Sequence, residues 1–358
     1  MKTSVLALSF LLCFSCTKKL DEETCLPLKE SIEVDSKVEN IDIFEDVSVI
    51  PLETTDESLL SDCQIVAFCD DKIIVRDINT LYFFNIETGR YESRICRQGN
   101  GPEEYVSLND VCIDCADKLV YVLERRGNIK TYNYNGSFLK EYTNDSVVSI
   151  EMLESSCFVA YSGVNRQCDI TLYNKDWNVV KKIWKRNKEV MNYRDIVEVR
   201  DFDVFNGYPC FMDTDTLCQI NNENVNPLFY IDKGELALPF EIFTDIRRKK
   251  ERDSYIWGDY GFLSEDFYFL RFYYDNKIYY DVWDVSSMKL MYRNIVSSLV
   301  DARGISILID GKKINIWPSY VRGDMICSVL QGEEVEKLGL PTDNDENPVI
   351  VTCRIRKR

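Results

Sequence analysis

D-D-K-I-I-V-R-D-I-N-T-L-Y-F-F-N-I-E-T-G-R-Y, Asp70 to Tyr91, reads as a short apolar strand, a polar turn, a second strand and a turn on Gly89. One period on, C-A-D-K-L-V-Y-V-L-E-R-R-G-N-I-K-T-Y-N-Y-N-G-S-F, Cys115 to Phe138, repeats it. Asp117-Lys118 stand where Asp71-Lys72 stood, Asn133 where Asn85 stood and Gly136 where Gly89 stood, at offsets of 46 to 48 residues. A period of that size with several short strands per unit predicts the blades of a β-propeller, not a helical solenoid. Runs such as Ile73-Ile74-Val75 are apolar on both faces, as strands sandwiched between neighbouring blades must be.

Weaker copies run from Phe158 to Val180, from Pro209 to Asn221 and from Asp266 to Val285. The last module is split between I-N-I-W-P-S-Y through M-I-C-S-V-L (Ile314 to Leu330) and the terminal N-P-V-I-V-T-C-R-I (Asn347 to Ile355). The expectation is therefore an all-β, six-bladed β-propeller of four-stranded antiparallel blades over residues 41–358. An open ring would leave a bare sheet edge, so a strand near Ile41 to Leu52 should pair with Pro348 to Ile355.

Between the first two modules lies R-Q-G-N-G-P-E-E-Y, Arg97 to Tyr105. Its glycines and proline make a defined turn. The loop either packs as a joint between blades or presents Arg97, Glu103, Glu104 and Tyr105 to a ligand, and these four are the candidate ligand-binding residues. It lacks the spacing of a phosphate loop or a dinucleotide fingerprint.

Lys2 and the apolar run Val5 to Phe14 have the size of a secretory signal core and are too short to span a bilayer. The run ends L-L-C-F-S-C, which resembles a bacterial lipobox. Residues 1–15 are then the signal peptide and Cys16 the lipidated N-terminus, with Cys13 standing where the pattern prefers Leu. Residues 16–40 are polar and read as a flexible tether.

Against 43 Lys+Arg stand 60 Asp+Glu, a formal net charge of −17, which disfavours nucleic acid as a partner. The chain contains no histidine, which excludes Ser-His-Asp and Cys-His hydrolases and His-dependent zinc enzymes built from this chain alone. No catalytic motif emerges. The basic cluster Arg247 to Lys250 with Arg252 reads as a solvated loop or short helix.

Of 14 cysteines, Cys13 leaves with the signal and Cys16 takes the lipid. Cys112 and Cys115 form the one C-x-x-C, but on a strand their side chains point to opposite faces, which suits neither a local disulfide nor a metal. Other pairings are open, and spacing does not settle them. D-T-D-T (Asp213 to Thr216) and D-N-D-E-N (Asp343 to Asn347) offer oxygens of the kind calcium takes, without an EF-hand pattern; each also reads as a turn or loop. No metal ligands are nominated.

R-Q-G-N-G-P-E-E-Y, the preceding V-I-P-L-E-T-T-D-E-S-L-L (Val49 to Leu60), the N-x-x-G turns and the closing N-P-V-I together resemble the six-bladed β-propeller lipoproteins of Bacteroides-type bacteria, themselves similar to NHL-repeat propellers. The resemblance implies the fold and a cell-envelope location, on the outer membrane through a lipid anchor, but no activity. The expected function is a ligand- or protein-binding module whose partner is an envelope protein, a peptide or a neutral glycan. The alternative is a lactonase- or lyase-like enzyme holding calcium on channel-mouth carboxylates.

Overall fold

The computed structural model describes residues 24–33, 41–125, 127–143, 147–153, 157–162, 170–184, 202–205, 208–221, 224–297, 304–340 and 346–356. The expected signal peptide and Cys16 lie outside them.

Six antiparallel four-stranded blades follow one another along the chain around a central channel. Their innermost strands are Gln64–Cys69, Asp110–Asp114, Val147–Met152, Asp203–Phe205, Trp257–Leu263 and Tyr320–Arg322. The repeat that predicted the blades also explains their packing. Ile74 turns to the second blade and packs with Val120, Val122 and Tyr132, whereas Ile73 and Val75 turn to the last blade and pack with Cys327 and Ile350. Strand neighbours that point to opposite faces thus enter opposite interblade cores.

Closure is by strand pairing between the ends of the propeller, as expected. Phe44–Pro51 is the outer strand of the last blade and pairs antiparallel with Val349–Ile355, from Phe44 opposite Ile355 to Pro51 opposite Val349. Asn347 clamps the seam. Its carboxamide donates to the Glu53 and Ser58 carbonyls and accepts from the Leu60 amide, each at 2.8 Å. Gly89 is required here, since a Cβ on it would meet the Pro51 carbonyl oxygen at 1.9 Å and its φ is +68°.

Two expectations need correction. I-N-I-W belongs not to the last blade but to a separate hairpin, Ile305–Ile309 with Lys312–Ile316. Its alternating isoleucines share a core with Phe269 and Val282 of the fifth blade and Ile326 of the sixth, so the hairpin fills the space between two blades. Part of the supposed tether is also structured. Cys25–Leu26 adds a parallel strand to the outer edge of the fourth blade, and the helix Leu28–Glu33 follows. Leu26 and Leu28 are fully buried there, which covers an edge that would otherwise be bare.

The helix is held by a buried cation. Arg293 donates to both carboxylate oxygens of Asp281, at 2.8 and 2.5 Å, and to the carbonyl and hydroxyl oxygens of Ser31, at 2.8 and 2.9 Å. A second buried cation, Lys233, joins Asp215 at 2.7 Å to Asp259 at 3.0 Å and so ties the fourth blade to the fifth. The basic cluster forms the 3-10 segment Ile246–Ser254, where Arg247 pairs with Asp245 and Arg248 with Glu251.

Candidate functional site

The loop Arg97 to Tyr105 is built as a joint. Tyr105 is fully buried and packs edge-on against Tyr132 of the second blade, with ring centroids 6.0 Å apart. Its hydroxyl donates to the Asn79 carbonyl at 2.6 Å. Glu104 accepts from the Gly101 amide at 2.9 Å, and Arg97 donates to the Gly136 carbonyl at 3.0 Å. Glu103 is exposed, and its carbonyl takes the Tyr132 hydroxyl. None of the four candidate residues lines the channel. The same face leaves Ile78 65% and Val106 60% exposed.

The central channel forms a cavity of about 380 Å³ to which all six blades contribute. Most of its polar groups come from inner strands, which the repeat places but does not single out, and Arg76 comes from the second strand of its blade, Lys72–Asp77. Most have committed their charge to the fold. Asp110 accepts from the Ser149 hydroxyl and the Ile150 amide, both at 2.8 Å, and so ties the second blade to the third. Asp114 caps the Asp117 amide and meets Lys175 at 3.3 Å. Arg76 donates to the Leu108 and Asn109 carbonyls at 2.6 and 3.2 Å.

Glu151 and Arg322 differ. Glu151 is half-buried and lines the channel. One carboxylate oxygen accepts from the Met152 amide at 2.9 Å and lies 3.8 Å from the Cys112 sulfur. Arg322 gives one N–H to the Phe68 carbonyl at 3.3 Å. Blades three and six face each other in a ring of six, so these side chains stand on opposite walls, and among the described residues neither has an ion-pair partner. Burial raises the pKa of Glu151 to about 7 and nearby Asp110 adds to the rise, against the Met152 amide and the Arg322 charge. Beside Arg322, burial pushes the Tyr320 phenol up to about 12. Burial and the neighbouring carboxylates also hold Cys112 well above the usual thiol range, so it is no thiolate nucleophile.

This raised carboxyl has a stability consequence. The folded state binds the Glu151 proton more tightly than the unfolded chain, whose ordinary value is 4.5. Its contribution is fully present below pH 4.5 and is lost as pH rises toward 7. With channel water screening part of the penalty, the loss amounts to roughly 2 kcal/mol. Denaturant midpoints measured from pH 4 to 8 are expected to fall less steeply in Glu151→Gln than in the wild type. Parallel profiles would refute the assignment.

The cysteine question is also settled locally. Cys69 and Cys115 form a disulfide 46 residues apart, equal to the repeat offset, because they hold the same place at the ends of adjacent inner strands. Cys112 points the other way, into the core shared with the third blade, as strand alternation requires. D-T-D-T is a hairpin turn, with Asp213 opposite Thr216 and Asp215 bound to Lys233. Residues 343–345 of the second acidic motif lie outside the described residues. Among the described residues no three His, Cys, Asp or Glu side chains gather as a metal site, and no helix is long and apolar enough to cross a membrane.

Known structures share this architecture. A Bacteroides fragilis protein designated as exported matches at 15% identity with a TM-score of 0.67, over 89% of this chain and 98% of its own. A member of the DUF4221 family from Bacteroides vulgatus matches at 11% identity with a TM-score of 0.53, over 88% of this chain and 98% of its own. At these identities the likeness is one of fold. No curated protein matches the chain. Residues 23–354, a span that takes in the docked N-terminal segment and the whole ring, match one sequence family, and the chain belongs to it: Domain of unknown function (DUF4934).

Proposed function

We propose that this protein is an exported, lipid-anchored binding module of the cell envelope whose ligand enters the central channel. The observation that carries the reading is the channel itself, whose walls hold a carboxyl and a guanidinium that form no ion pair among the described residues while Asp110, Asp114 and Arg76 serve the fold. Expected partners are an envelope protein, a peptide or a neutral glycan; the net charge of −17 opposes polyanions. The exposed Arg97, Glu103, Ile78 and Val106 offer a protein partner a separate contact on the joint face. The resemblance to Bacteroides-type lipoproteins, together with a structural neighbour designated as exported, supports the location.

A binding panel of DNA, heparin, neutral glycans, peptides and envelope extracts at physiological salt without calcium tests the ligand class. Saturable binding of DNA or heparin alone would overturn it. For the anchor, Cys16→Ala is expected to move the protein out of the membrane fraction, because an acyl anchor supplies the binding. Equal partitioning of wild type and mutant refutes lipidation. A second reading rests on Glu151, since a carboxyl raised to about 7 and facing a guanidinium across the channel suits general acid–base work. The calcium-dependent version would need three converging carboxylates, and the described residues gather none.

A further inference from the structure

We propose that the channel binds a small zwitterion, an α-amino acid or short peptide, with the ligand carboxylate on Arg322 and its ammonium on Glu151. This rests on the channel being the ligand site. A cavity of about 380 Å³ takes a molecule of that size. The Arg322 guanidinium spends one N–H on the Phe68 carbonyl and also meets the Tyr320 hydroxyl, which leaves further N–H groups of the fork for a ligand. One Glu151 oxygen is engaged by the Met152 amide and the Cys112 thiol, and the other has no protein donor.

Glu151 carries a desolvation cost that the charge on the opposite wall does not offset, and Arg322, exposed along the channel, has donor capacity to spare. A ligand with the complementary pair meets both charges with charge-assisted hydrogen bonds, bidentate at the guanidinium. A neutral sugar answers neither charge, and an anion answers only one. The ligand side chain has a surface to meet: Tyr260, 40% exposed though it lines the channel, stands edge-on to Phe262 with ring centroids 5.0 Å apart. The remaining ionisable groups near Glu151, namely Asp110, Cys112 and Tyr320, are bonded within the fold or held neutral, so Arg322 and Glu151 set the recognition.

The test is calorimetric titration of the purified protein with L-phenylalanine, phenylalanyl-phenylalanine, N-acetyl-phenylalanine and phenylalaninamide. Free amino acid or dipeptide is expected to bind, and the two blocked forms at least about ten-fold more weakly, the cost of one lost charged hydrogen bond. Glu151→Gln and Arg322→Met should each weaken the free form by a similar factor. Binding at neutral pH should release protons, since an ammonium beside Glu151 favours its ionised state, and Glu151→Gln should abolish that release. Failure of every zwitterion to bind, equal binding of the blocked forms, or unchanged affinity in both variants overturns the proposal. If a neutral glycan binds instead, and channel-filling Met152→Trp abolishes it while both charge variants keep it, the zwitterion fails and the channel reading stands. Ligand binding that survives a correctly folded Met152→Trp overturns both.

Discussion

A chain ending at residue 346 is expected to lose cooperative folding altogether. The missing strand, Val349–Ile355, sits between Phe44–Pro51 and Met325–Leu330 and pairs with both. Val349, Ile350, Val351 and Ile355 are buried in it, so its removal forfeits roughly 6–12 kcal/mol at ~1.5–3 kcal/mol per side chain. A domain holds about 5–15 kcal/mol in total. The truncation also removes Asn347 and strands three backbone groups of the 53–60 loop. The near-UV circular dichroism and the sigmoidal melt should both disappear. A truncated chain that melted cooperatively at the wild-type temperature would show that the ring is closed by something else.

Replacing Arg293 by Met should cost about 3–5 kcal/mol, the penalty for leaving one member of a buried ion pair without its partner. Asp281 is fully buried, and its carboxylate receives two of the guanidinium's hydrogen bonds. The Ser31 carbonyl and hydroxyl lose their donor as well, which should loosen the N-terminal helix. Hydrogen exchange is expected to rise in residues 25–33 in parallel with a lowered denaturant midpoint. Pairing the change with Asp281→Leu should recover much of the stability without re-docking the helix, because an apolar pair carries no buried charge. If Arg293→Met matched the wild type in both measurements, the helix would be held by Leu26 and Leu28 alone.

Much of this architecture was legible because a propeller repeats its local instructions. The Asp70 to Tyr91 pattern recurs at Cys115 to Phe138, and each copy states its own strands, turns and two-sided apolar faces in a continuous stretch. Closure followed as well, since a ring left open would present an unpaired edge and an uncovered blade face, which pairing of the first strand with the last removes. Even the Cys69–Cys115 disulfide left a trace, two cysteines at the repeat offset, though only the adjacency of the two strand ends makes them partners.

What the sequence by itself determined, then, was the fold class, the blade count and the closing strands, together with the absence of histidine chemistry, because these depend on short-range pattern and composition. Only the tertiary structure decided which polar residues meet. Glu151 and Arg322 lie 171 positions apart and face each other because the ring brings blades three and six to opposite walls. Arg293 reaches Ser31 across 262 residues of chain, which is why a segment that reads as polar tether is docked. Conversely, the conspicuous Arg97 to Tyr105 loop drew notice through glycines and a tyrosine that the backbone needs for a joint. Local composition reports where a chain turns; the convergence of distant side chains on one cavity is set by ring geometry, which no single stretch encodes.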